Sequence, residues 1–220
     1  MQHEILKEIP LLDANGDLTE PGFAKKLLPV YSRKAIKASK LRIKEWDYYL
    51  ISNGHYAMAL TIADNGYMGL DSISLIDMDN DFSITQSPMG VLPLGRTGLP
   101  ETSKTGDTEH SGKGYALSFK NDGKGRRVLT AQMDAFGPLG AFVGSVELFD
   151  EPEESMVICT PFEKKAHFYF NQKINCMRAR GEMSYGGKTY TFDPADSFAV
   201  LDWGRGVWTY HNTWYWGSAS

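Results

Sequence analysis

Asn53-Gly54-His55-Tyr56-Ala57-Met58-Ala59-Leu60-Thr61-Ile62-Ala63-Asp64-Asn65-Gly66 is the stretch that decides the fold. Between its two Asn-Gly pairs, Tyr56, Met58, Leu60 and Ile62 recur at every second position, the period of a half-buried strand. The alternate residues His55, Ala57, Ala59 and Thr61 are mostly small and leave room for a second layer or a ligand. An Asn-Gly pair reverses the chain tightly because both residues tolerate positive φ. The flanking runs 43–51 and 67–77 are rich in aromatic and branched residues, so the three runs are predicted to form an antiparallel meander.

The same alternation returns further along. Tyr115, Leu117 and Phe119 share one face, and Asn121-Asp122-Gly123-Lys124-Gly125 turns the chain into a strand at 128–133. Strands are also expected at 143–149, 156–160, 167–171, 178–185, 190–192 and 198–203. No sustained helical period follows residue 40, so the chain reads as all-β, a barrel or sandwich of short strands. The first forty residues differ. They hold a turn at Asp13-Ala14-Asn15-Gly16-Asp17, a second at Pro21-Gly22, and a short helix expected over 23–33, interrupted at Pro29. Residues 1–40 are therefore read as an arm packed on the outside of a β domain that spans 41–220. The glycine- and proline-rich segment 88–114 is read as a long loop, of the kind that is functional or mobile.

Composition removes several functions. The 220 residues carry 23 Lys and Arg against 27 Asp and Glu, a net charge of −4, without the basic footprint of a nucleic-acid binder. The densest basic stretch, Lys34, Lys37, Lys40, Arg42 and Lys44, is read as a solvated face. No apolar run reaches the roughly 20 residues that a membrane helix needs. The first ten residues carry Glu4, Lys7 and Glu8 and lack an apolar signal core, which predicts a cytoplasmic protein. Two cysteines, Cys159 and Cys176, make no disulfide framework, though a single bridge between them stays open.

Motifs for metal and covalent chemistry fail on spacing. A calcium loop needs glycine at its sixth position and glutamate at its twelfth. Counting from Asp13 these are Leu18 and Ala24, and from Asp77 they are Phe82 and Pro88. Gly112-Lys113-Gly114 and Gly123-Lys124-Gly125 lack phosphate-loop spacing, and the five histidines are scattered. No metal and no cofactor is expected.

The tail is the informative segment. Four of the five tryptophans lie in Asp202-Trp203-Gly204-Arg205-Gly206-Val207-Trp208-Thr209-Tyr210-His211-Asn212-Thr213-Trp214-Tyr215-Trp216, and the fifth is Trp46. If 208–216 is one strand, Trp208, Tyr210, Asn212, Trp214 and Trp216 share a face. That row is either barrel core or the wall of an aromatic pocket. Asp202 and Arg205 are expected to meet as an ion pair, either a latch or a polar pair inside the pocket.

This run, with Trp46-Asp47-Tyr48-Tyr49 and Thr160-Pro161-Phe162 followed by residues 167–173, resembles a bacterial family described as domain of unknown function 2804. Asp-Trp-Gly-Arg-Gly-x-Trp is the most specific string. The family is similar to the lipocalin-like carotenoid hydratases, the hydroxyneurosporene synthases. The resemblance implies an antiparallel lipocalin-like, calycin-type barrel, the first of two β units around an apolar site, with no cofactor. The related hydratases add water to a double bond by acid chemistry, using Asp, His, Tyr and Trp. By residue type, Asp202, His167 and Tyr210 would be catalytic, while Trp203, Arg205, Trp208, Asn212, Trp214 and Trp216 would hold the ligand.

Two functions follow. The first is a module that binds an apolar or aromatic small molecule in a β-barrel pocket. The second is a cofactor-independent lyase, hydratase or isomerase with Asp202 as general acid and aromatic faces steadying a carbocation. An exposed aromatic face would also support a homo-oligomer.

Overall fold

The computed structural model describes residues 3–211, 213 and 215–217. In chain order the strands are β1 (Ile9–Pro10), β2 (Gly22–Ala24), β3 (Pro29–Val30), β4 (Ile43–Ser52), β5 (Tyr56–Asp64), β6 (Met68–Asp77), β7 (Phe82–Gln86) and β8 (Met89–Val91). They continue as β9 (Thr108–Gly112), β10 (Tyr115–Asn121), β11 (Arg127–Gly137), β12 (Gly140–Phe149), β13 (Met156–Pro161), β14 (Phe168–Tyr185), β15 (Lys188–Phe192) and β16 (Phe198–Val207). The only helical turns among the described residues are two 3-10 turns, Arg33–Ala35 and Lys40–Arg42. No helix among them is long and apolar enough to cross a membrane.

The predicted meander is present as β4, β5 and β6, paired antiparallel throughout, with Gly54 and Gly66 at φ of 84° and 77°. Met58, Leu60 and Ile62 are fully buried, as their period requires. A 14-stranded sheet runs β7-β6-β5-β4-β16-β14-β12-β11-β10-β9 along its main path. The 18-residue β14 carries much of it, pairing with β13, β16, β12 and β15 along its length. A register shift between Ile174 and Met177 bends it. The sheet curls until β9 lies against β5 and β7 against β11. No ladder joins the two ends of the path among the described residues, so the curl stops short of a closed barrel. Side chains bridge it instead: Asp71 of β6 accepts from Tyr115 (2.7 Å) and pairs with His110 Nδ1 (2.5 Å).

The core lies inside the curl, where Tyr49 meets Phe119 edge-on at 5.0 Å between ring centroids. The interior is also polar. Arg205 is fully buried and donates to the carbonyls of Trp46 (2.8 Å), Gly204 (2.8 Å) and Pro100 (2.7 Å) and to Asp47 Oδ1 (3.0 and 3.1 Å). Space beside Asp47 and Trp203 amounts to about 10 Å³, no more than a single water needs.

The first forty residues correct the expectation of a short helix over 23–33: that segment holds β2 and β3, with a 3-10 turn just after it. Nor does the arm stay outside. Tyr31 packs against Phe170 and Trp203 and donates to Glu45 (2.6 Å), while β2 adds to the edge of β13. Segment 88–114 contains β8 and β9, and both cysteines are free.

Candidate functional site

Strand alternation builds a cleft on the outer face of the sheet. On β16, Asp202, Gly204 and Gly206 face outward, and Leu201, Trp203, Arg205 and Val207 face the core. Register then sets three rows across β4, β16 and β14: Tyr48, Asp202 and Lys173; Trp46, Gly204 and Asn171; Lys44, Gly206 and Tyr169. Beyond β14, Met156, Ile158 and Thr160 of β13 continue the same rows.

Glycine at 204 is a steric requirement. A Cβ there would lie 2.5 Å from Trp46 Cη2 and nearer still to two other ring carbons. The bare backbone lets the Trp46 indole lie down across the strand and stack on Tyr169 (6.2 Å, interplanar angle 18°). Trp208 meets both rings edge-on, at 5.7 and 5.6 Å. Against this aromatic floor stands a cleft of about 840 Å³, walled by Ile158, Phe162, Tyr67, Trp208, Tyr210, Tyr215 and Trp216.

Asp202 is the acid of the cleft. Its Oδ1 accepts from Trp46 Nε1 (3.1 Å) and Asn171 Nδ2 (2.5 Å), and its Oδ2 from Trp216 Nε1 (2.7 Å) and Lys173 Nζ. A carboxylate offers about four lone-pair sites, and four donors occupy them. Burial, and then the Asp202 charge, raise the phenol pKa of Tyr169 and of Tyr48. Burial, and then the Arg42 charge, lower the pKa of Lys44.

The tail departs from the strand expected over 208–216. β16 ends at Val207, whose partners Ile43 and Phe168 are the first residues of β4 and β14. With no neighbouring strand beyond them, the chain leaves the sheet and folds back over the cleft. Trp208, Tyr210 and Trp216 still line it, through that fold-back and not by alternation. Asn212 and Trp214 lie outside the described residues.

Other expected site residues fall elsewhere. Trp203 and Arg205 belong to the core face and do not line the cleft. The ion pair expected between Asp202 and Arg205 is not formed: Arg205 pairs with Asp47 and Asp202 with Lys173. Residues three apart on a strand point to opposite faces, which is the physical reason. His167 is buried just before β14, with Nδ1 2.9 Å from the Lys165 carbonyl, and does not line the cleft. Sequence reasoning missed Trp46, Tyr169 and Lys173, and it read Arg42 and Lys44 as a solvated face. A signal was present in Asp202-x-Gly204-x-Gly206, where acid and glycines alternate on one face.

The family described as Domain of unknown function (DUF2804) matches residues 2–220. The chain belongs to this family. No curated protein matches it. Among solved structures, this DUF2804 chain is similar to an AttH candidate from Nitrosomonas europaea, with 11% identity, 77% of this chain and 52% of that one covered, and a TM-score of 0.48. It is also similar to kievitone hydratase from Nectria haematococca, with 12% identity, 90% and 57% covered, and a TM-score of 0.39. A third is CghA with Sch210972, with 13% identity, 91% and 55% covered, and a TM-score of 0.41. The chain spans just over half the length of these structures.

Proposed function

We propose that this protein binds an apolar, ring-bearing small molecule in the outer-face cleft. The observation that carries the reading is the cleft itself: about 840 Å³, floored by the stacked Trp46 and Tyr169 and covered by the tail. Pockets of this size and lining suit small ligands, with a few polar groups to orient them. In this reading the chain is a lipocalin-like β unit, an arm over 1–40 and a β domain over 41–220, acting in the cytoplasm. Its ligand lies on the outside of the curl, because the interior is filled.

One observation favours a second reading, a cofactor-independent lyase or hydratase: Asp202 stands at the cleft wall beside Lys173 and Tyr169. Lys173 takes the place expected of Arg205. A general acid must carry a proton, however, and four donors point at this carboxylate. Acid chemistry would need Trp216 to swing away first. Binding is therefore ranked above catalysis.

The test uses N-phenyl-1-naphthylamine, a neutral aromatic dye that brightens in apolar sites. Saturable binding that is lost in Ile158→Glu, with near-UV circular dichroism unchanged, is the expected result. No saturable binding, or binding unaffected by Ile158→Glu, would overturn the reading.

A further inference from the structure

The charges lining the cleft do not balance. Among the described residues they are Arg42, Lys44 and Lys173 against a single acid, Asp202. Lys173 and Asp202 neutralise each other. The Arg42 guanidinium lies 3.7 Å from the Tyr210 ring centroid and donates to the Trp208 carbonyl, and neither partner carries a charge. Lys44 is half-buried, with Nζ 5.3 Å from the Tyr67 ring centroid and no carboxylate in ion-pair range among the described residues. Its environment agrees: burial and Arg42 both act against its charge, and no acidic neighbour acts for it. Two cations with no counter-charge among the described residues thus face an aromatic cleft, in a chain whose overall charge is −4. Partial burial of such charges is unfavourable until an anion pairs with them.

Their placement is specific. Lys44 shares the face of Trp46 on β4, and Arg42, the last residue of the 3-10 turn that precedes the strand, lines the same cleft. Gly206 lies opposite Lys44 in the ladder, and the Trp208 indole sits over it, 3.3 Å from where a Cβ would be. One strand repeat, about 7 Å, separates Lys44 from Trp46 along the strand.

Resting on the binding reading above, we propose that the cleft takes organic acids: a flat apolar body on Trp46, Tyr169 and Ile158, and one anionic group held by Lys44 with Arg42 behind it. The anion is a carboxylate, sulfonate, sulfate or phosphate carried on that body.

Two dyes test this, because 8-anilino-1-naphthalenesulfonate is N-phenyl-1-naphthylamine with one sulfonate added. The native protein at low salt is expected to bind the sulfonate about tenfold more tightly, the lower end of what a charge-assisted hydrogen bond contributes. Lys44→Met and Lys44→Gln should each bring the affinity ratio close to one, and Lys44→Arg should keep it. Using the ratio cancels any general loss of binding in a variant. Equal binding of both dyes by the native protein, or a ratio that survives both neutral substitutions, would overturn this proposal and leave the cleft reading standing. Failure of both dyes to bind would overturn the two together.

Discussion

Gly204→Ala puts a methyl group where the Trp46 ring now lies. The new Cβ would be 2.5 Å from Cη2 and closer to two further ring carbons. Ordinary carbon contact is about 3.5–4.0 Å, so the indole must retreat by an ångström or more. Retreat strains a packed site, at about 1–3 kcal/mol. It also draws Nε1 away from Asp202 Oδ1, now 3.1 Å distant, and a hydrogen bond to a charged group contributes about 1.5–3 kcal/mol. Opposing this, replacing glycine at an ordinary φ restricts the unfolded chain and stabilises by about 0.4–1 kcal/mol. The net expectation is a loss of about 2–4 kcal/mol, which for a chain of this size lowers Tm by roughly 5–15 °C. In a Trp46→Ala background the obstruction and the hydrogen bond are both gone, and only the unfolded-state gain remains. There Gly204→Ala should stabilise, so the sign reverses. Urea unfolding of the four proteins, read by far-UV circular dichroism, supplies the double-mutant cycle. Equal effects in both backgrounds, or a near-neutral effect in the native one, would refute the packing of Trp46 on Gly204.

Asp202→Asn leaves the Lys173 ammonium buried without a counter-charge and should cost about 3–5 kcal/mol in urea unfolding. Adding Lys173→Met should recover most of that loss, and no recovery would show the pair is not the cause. In acid, Lys188, with Asn80 and Tyr190, holds Asp77 down to about 2, and Arg180 with Arg126 holds Glu147 there too. These folded values lie below the unfolded ones, so the stability they contribute is complete above about pH 5 and disappears as pH falls toward 2. Lys188→Met should therefore raise the acid-unfolding midpoint, and an unmoved midpoint contradicts the assignment. Cys176 is exposed, whereas burial, then Glu20, pushes the Cys159 thiol up to about 12. Ellman's reagent near pH 8 should label one thiol in the folded protein and both after denaturation; two fast thiols would show Cys159 is accessible.

The meander from Ile43 to Asp77 was legible because its determinants are local: alternation sets which side chains share a face, and Asn-Gly turns set where the chain reverses. The all-β class follows from the same local rule. That rule also places Asp202, Gly204 and Gly206 on one face and Arg205 on the other. It cannot say how far a strand extends, because a strand needs a neighbour: β16 stops at Val207 where both of its partners begin, so the described residues beyond it do not continue the strand expected over 208–216. Nor can it say which faces meet. Trp46 reaches Asp202 across 156 positions and Lys173 reaches it across 29, each through a strand register with no local mark. The outer-face cleft and its unbalanced charge exist only because distant strands pair in one register. That register is chosen by burial of the whole sheet, a property of the packed chain and not of any segment.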